Sequence, residues 1–142
     1  MAVFVTRRSE AEVLLVHRAP EQGGYWHVVA GGVETGESSK EAAARELREE
    51  TGLIAEVRTG VEVVEYAYAL TEEPAERRRL YDLSVMQVAV TCYCVEAPDD
   101  WEPTLDWEHD GHRWCTPDEA VKTLRWPETA RALREMVSLQ PS

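Results

Sequence analysis

No stretch of the 142 residues is apolar for long enough to cross a bilayer. The opening MAVFVTRRSE lacks the basic head, apolar segment and small-residue cleavage site of a secretion signal. Neither a membrane anchor nor export is expected, and the cytosol is the expected compartment. Cysteine is scarce. Cys92, Cys94 and Cys115 are an odd number without a disulfide framework, which leaves thiols used as small apolar side chains. Positive charge is also short: 15 Lys and Arg stand against 27 Asp and Glu, a formal net charge of −12. Such a field repels nucleic acid and anionic membranes, and neither is an expected partner. A phosphate compound would need a cation between itself and this protein. Repeats, low-complexity segments and linkers are absent, and the length suits a single domain over 1–142.

What is present is an alternation of apolar runs and polar breaks. Residues 2–6 and 13–17 read as strands joined through RRSEA. Residues 25–30 read as a third strand running into Gly31-Gly32, and 39–51 as a helix. Alternation between 53 and 70, clearest at Val64, Tyr66, Tyr68 and Leu70, and the long run 80–95 give further strands. The polar segment 71–79 between them reads as a hairpin loop. Its Arg77, Arg78 and Arg79 are a solvated tip or a phosphate clamp. A loop over 97–108 and a short strand over 112–115 follow. Thr116-Pro117-Asp118-Glu119 has the pattern of a helix start, and residues 128–139 form a last helix with Ala132, Leu133, Met136 and Val137 on one face. Long apolar strands need cover, so the expected class is α/β, a mixed sheet with helices packed on its faces.

The helix over 39–51 has a regular start and an irregular end. Ser38 and Glu41 make a capping box, and Gly52 is placed to terminate it. On a helical wheel Lys40, Ala43, Ala44, Leu47 and Thr51 share the side expected to pack on the sheet. Glu41, Arg45 and Arg48 share one expected to meet water. Glu46, Glu49 and Glu50 occupy the third side, spaced i, i+3 and i+4. Like charges at these spacings cost about 0.2–0.5 kcal/mol per pair. Acids near the negative end of the helix macrodipole lose about 0.3–1 kcal/mol each. A divalent cation with oxygen ligands, Mg²⁺ or Mn²⁺, would remove both penalties. The competing reading is a solvated helix held by Glu41–Arg45 and Arg45–Glu49 pairs. The preceding Gly31-Gly32…Gly36 loop, which lets backbone approach a ligand closely, favours the metal.

At residues 31–53 the sequence resembles the Nudix hydrolases, whose signature is G-x5-E-x7-R-E-U-x-E-E-x-G-U with U a bulky aliphatic. Gly31, Glu37, Arg45, Glu46, Leu47, Glu49, Glu50, Gly52 and Leu53 fill it. The resemblance implies an α/β/α sandwich with a mixed sheet, and hydrolysis of a nucleoside diphosphate linked to another group by attack of activated water on phosphorus. It further implies that Glu46, Glu49 and Glu50 hold the metal, with Glu37 as a further ligand or hydrogen-bonding support. Arg45 would brace the glutamates by ion pairing. Gly31 would let the loop backbone, including the Ala30 carbonyl, reach the metal, with Gly32 beside it at the substrate. The general base would be one of the signature glutamates or an acid from a later loop.

Glu108, in DWEHDGHRW, is the candidate for that later acid, against the reading of a solvated loop residue. His109 and His112 beside it are read as surface histidines. Arg18 is placed to grip a phosphate or to make a surface ion pair. Tyr25 and Trp26 precede the glycine loop and could stack on a ring, although core packing suits Trp26 as well. The expected substrate is a nucleotide-like diphosphate: a nucleoside or pterin triphosphate, or a dinucleoside polyphosphate. A homodimer is left open. The alternative is a Nudix-fold module that binds a nucleotide without turning it over, but such modules often lose signature acids that this chain keeps.

Overall fold

The computed structural model of the chain describes residues 1–58, 66–69, 87–125 and 127–139. Strands β1 (Ala2–Arg7) and β2 (Glu12–Arg18) leave their connecting turn as an antiparallel pair, at Thr6↔Val13 and Arg7↔Glu12. Beyond these pairs the two strands part, and the chain fills the wedge itself. Strand β3 (Trp26–His27) pairs with β2, and β4 (Val29–Ala30) pairs with β1. The single strand expected over 25–30 is therefore two, because the segment changes partner at Val28. Ala30 then delivers the glycine loop to the start of helix α1 (Ser39–Thr51).

A second division has the same cause. The expected strand 80–95 contains β6 (Gln87–Val90), which pairs with β5 (Tyr66–Ala69) in a separate two-stranded sheet. The chain changes partner at Thr91, whose carbonyl accepts from the Ala2 N–H at 3.0 Å. It continues as β7 (Cys92–Glu96), parallel to β1. The strand expected over 112–115 is longer than its sequence suggests: β8 (His109–Cys115) runs antiparallel to β2. Its polar residues lie on an edge strand, where one face meets water, and so the pattern reads as loop. Helices α2 (Pro117–Thr123) and α3 (Pro127–Leu139) follow, α2 with the expected capping box from Thr116 and Glu119. Val64, Leu70, the segment 71–79 with Arg77, Arg78 and Arg79, and Met86 fall outside the described residues.

The six-stranded mixed sheet is covered on both faces, as expected. Ala2, Phe4, Leu15, Cys92 and Cys94 pack with Ala132, Leu133 and Met136 of α3. Val3, Val5, Leu14, Val16 and Val95 pack with Ala42, Ala43 and Leu47 of α1. The three thiols are free and buried, and burial pushes the Cys92 thiol up to about 12. Among the described residues no helix is long and apolar enough to cross a membrane.

One polar knot pins the 97–108 loop to this frame. Glu102 accepts from Arg7 Nη1 at 2.8 Å and Trp114 Nε1 at 3.0 Å, and its Oε2 lies 3.0 Å from His112 Nε2. The Arg7 hydrogen bond, then the Trp114 one, hold the Glu102 carboxyl down at about 2. A depressed carboxylate contributes stability above its unfolded value, and the contribution is lost as pH falls through the folded one. The side chain is half exposed, so solvent screens the knot. Glu102→Ala is expected to cost about 1 kcal/mol at pH 7, with the difference from wild type shrinking as urea melts are moved from pH 5 towards pH 2.

Candidate metal and catalytic site

The ends of α1 are those its sequence dictates. Ser38 Oγ accepts from the Glu41 N–H at 3.1 Å, Glu41 Oε1 accepts from the Ser38 N–H at 3.0 Å, and Gly52 closes the helix at φ 80°. Its rotation differs from expectation. Ala42, Ala43, Leu47, Glu50 and Thr51 are buried, whereas Lys40 and Ala44, expected against the sheet, are exposed. The sheet-facing side has turned towards the acids and carries Glu50 inwards.

Arg45 does not point to water as expected. It lies across the glycine loop and gathers the carboxylates. Its Nε and Nη2 donate to the two oxygens of Glu37, at 2.8 and 3.0 Å. Nη2 also donates to the Gly32 carbonyl at 3.0 Å, and Nη1 to Glu46 Oε1 at 2.8 Å and Glu49 Oε2 at 3.3 Å. One guanidinium thus ties loop to helix and offsets the repulsion among neighbouring acids. The Arg45 bonds, followed by the Glu34 N–H, hold the Glu37 carboxyl below its ordinary range. Gly31 is required here by contact. A Cβ at this position would lie 2.4 Å from Glu46 Cδ.

Glu50 is the exception in this network. It is 2 % exposed, and among the described residues neither carboxyl oxygen has a hydrogen bond of good geometry, although the Glu46 carboxylate lies close enough to act on it. Its Oε1 lies 3.3 Å from His109 Nε2, whose ring is fully buried and has Nδ1 2.8 Å from Asp106 Oδ1. Burial pushes the Glu50 carboxyl well above its ordinary range, with Glu46 next in effect and then the charges of Asp106 and Glu108. Buried acids without hydrogen bonds are costly, and they persist where something else supplies the missing partners. An oxygen-ligated divalent cation suits this donor set. Among the described residues no three His, Cys, Asp or Glu side chains already converge as a ligand set. Glu37, Glu46 and Glu49 are instead gathered on Arg45, while Glu50 faces His109.

A family model described as the NUDIX domain matches residues 1–136. The chain belongs to the Nudix hydrolase family. An octanoyltransferase of Myxococcus xanthus is 38% identical over 137 residues, 96% of this chain, which spans only 34% of that protein's length. A CTP pyrophosphohydrolase of Escherichia coli (strain K12) is 28% identical over 134 residues, 92% of this chain and 86% of the relative. The E. coli dihydroneopterin triphosphate pyrophosphohydrolase shares the fold, with a TM-score of 0.79 at 21% identity over 98% of this chain and 94% of that one. The resemblance read from residues 31–53, and the fold it implied, are borne out.

The other candidates of this Nudix chain divide. Glu108 is half-buried on the turn beside Glu50, with its carbonyl held by the Ala19 N–H at 2.9 Å. Among the described residues Arg18 makes no surface ion pair. It is buried, and its Nε and Nη2 donate to the Gln22 carbonyl and side chain at 3.0 and 3.2 Å. Its guanidinium also lies 5.7 Å from the Tyr25 ring centroid. Trp26 is partly buried, packs against the core and meets His17 edge-on at 4.9 Å. Gly32 is exposed. His112 is exposed as expected, but His109 is not a surface residue, and with Asp106 it is what sequence reasoning missed. The only sequence trace of the pair is the i, i+3 spacing of an Asp and a His in a polar stretch, which carries no direction.

Proposed function

We propose that this protein is a Mg²⁺- or Mn²⁺-dependent pyrophosphohydrolase that cleaves a phosphoanhydride bond of a nucleoside diphosphate-linked compound. A nucleoside or pterin triphosphate, or a dinucleoside polyphosphate, is the proposed substrate class, in keeping with the names its relatives carry. The observation that carries the reading is Glu50, buried without a hydrogen bond among Glu46, Asp106 and Glu108. Glu46, Glu49 and Glu50 would hold the cation, with Glu37 behind them, and Arg45 would fix the rotamers of Glu46 and Glu49. When bound, divalent ions neutralise phosphate charge and make water acidic enough to attack near neutral pH. The water oxygen bonds to phosphorus as the bridging P–O bond breaks, and the proton of the water passes to Glu49, Glu50 or Glu108. Arg18, Tyr25, Trp26, Gly31 and Gly32 are proposed to line the substrate side. The three reduced, buried thiols fit a cytosolic protein whose residues 1–142 act as one domain.

The reading is tested by phosphate and pyrophosphate release from a panel of dNTPs, dinucleoside polyphosphates, nucleotide sugars, ADP-ribose and pterin triphosphate, with Mg²⁺ and with Mn²⁺. Release from at least one compound, abolished by EDTA, is expected. Silence across the panel would leave a nucleotide-binding module. Gly31→Ala should push the Glu46 carboxylate aside, and a misplacement on this scale is expected to lower kcat by about 10²-fold. An unchanged circular dichroism spectrum would separate this from unfolding.

A further inference from the structure

Half-buried Asp106 and buried His109 and Glu50 form a polar chain that the signature does not require. The His109 side chain has no exposure, and its ring is anchored at Nδ1 by Asp106 Oδ1 at 2.8 Å. That anchor fixes the ring plane and aims Nε2 at Glu50 Oε1, 3.3 Å away. Among the described residues neither Nε2 nor either Glu50 oxygen has a hydrogen bond of good geometry, and the 3.3 Å approach is the polar contact through which His109 meets Glu50. An apolar core would not gather two such side chains at one point, since a buried polar group left without partners is costly. Backbone holds the placement as well. The His109 N–H donates to the Asp106 carbonyl at 3.3 Å, and the Ala19 N–H to the Glu108 carbonyl at 2.9 Å. The β2–β8 register shifts between His17 and Arg18, so that Arg18 pairs with His109. A bulge of this kind re-aims the side chains beyond it. His109 is therefore positioned by the sheet and not by a free loop.

We propose that His109, held by Asp106, is a positioning residue for Glu50: it fixes the direction of the Glu50 carboxylate and so sets the affinity of the site for a divalent cation. The inference rests on the metal-dependent reading above. Outer-shell partners of this sort are worth about 10–100-fold in metal affinity.

The experiment is isothermal titration calorimetry with MnCl₂ on wild type, His109→Leu, His109→Gln and Asp106→Asn. His109→Leu is expected to weaken Mn²⁺ binding by about 10–100-fold. His109→Gln, whose amide nitrogen can stand where Nε2 stood, should bind close to wild type, and Asp106→Asn should fall between the two. A folded His109→Leu that binds Mn²⁺ like wild type overturns the inference, as does a His109→Gln no better than His109→Leu. If near-ultraviolet circular dichroism shows His109→Leu unfolded, Asp106→Asn decides: unchanged affinity overturns the inference and weakened affinity supports it. A wild type that binds no Mn²⁺ removes the metal reading and the inference together. A wild type that binds, with variants unaffected, removes only the inference.

Discussion

Glu50→Gln is expected to lower kcat by about 10²–10⁴-fold and, without divalent cations, to make the protein more stable. The two effects have one origin. Glu50 is buried and lacks hydrogen bonds, and its folded-state pKa is raised above the ordinary 4.5. Between those two values the folded protein binds more protons than the unfolded chain, so metal-free stability falls as pH rises from about 4.5 towards the folded value. Glutamine carries no such linkage. At pH 5 the variant and wild type should melt close together. At pH 7 in EDTA the variant should lead by on the order of 1–3 kcal/mol. Mg²⁺ should reverse the order, because a cation that binds only the folded state stabilises more the tighter it binds, and the variant would lack one of the proposed ligands. Melting curves at pH 5 to 8, with EDTA and with Mg²⁺, check all three statements. A Glu50→Gln protein less stable than wild type in EDTA at pH 8 would show that the pocket favours the ionised carboxylate unaided. Near-normal turnover would remove Glu50 from the mechanism.

Arg45→Met should fail in the opposite sense, losing activity and metal-free stability together. The Arg45 side chain is only 17% exposed and bonds Glu37, Glu46 and Glu49 at once. Its removal leaves those carboxylates without a counter-charge and the Gly32 carbonyl without its donor. Breaking a largely buried pair by deleting one partner is strongly destabilising. Allowing for the exposure of Glu49, about 2 kcal/mol is expected, read by urea unfolding in EDTA. With Glu46 and Glu49 released from their rotamers, kcat should fall by about 10²-fold. Arg45→Lys should recover little, since an ammonium cannot bridge two oxygens of Glu37 while also reaching Glu46 and Gly32. A lysine variant with wild-type kcat would show that charge alone suffices.

The bounds of α1 were legible because capping is local chemistry: Ser38, Glu41 and Gly52 decide it within a few residues. The rotation of α1 was not. Ala42 and Ala44 are equally small, and a wheel sorted by polarity sends every glutamate outwards, so the burial of Glu50 lay beyond it. The burial depends on β8, whose contact with Glu50 exists only because β2 and β8 stay paired past the bulge at His17 and Arg18. Sequence spacing carries no information about a contact made across two elements. The same limit explains the divided strands. Apolar runs at 25–30 and 80–95 report burial, but they do not report a change of partner at Val28 or Thr91. The family resemblance implies the bracing role of Arg45, whereas the wheel alone places it in water.

The position of β1 has a further consequence for the order in which the chain can mature. This strand is buried on both faces and takes β2 and β4 along one edge and β7 along the other. During synthesis the first edge can close as soon as residue 30 has emerged. The second stays open until residues 92–96 arrive, and its parallel pairing spans about 90 residues of the chain. Such long-range pairing is slow to form, and an unpaired apolar edge is a template for association with other chains. The first strand of this domain is thus among the last to be completed, and ribosome-bound chains that stop short of Glu96 should be the ones that bind chaperones or aggregate.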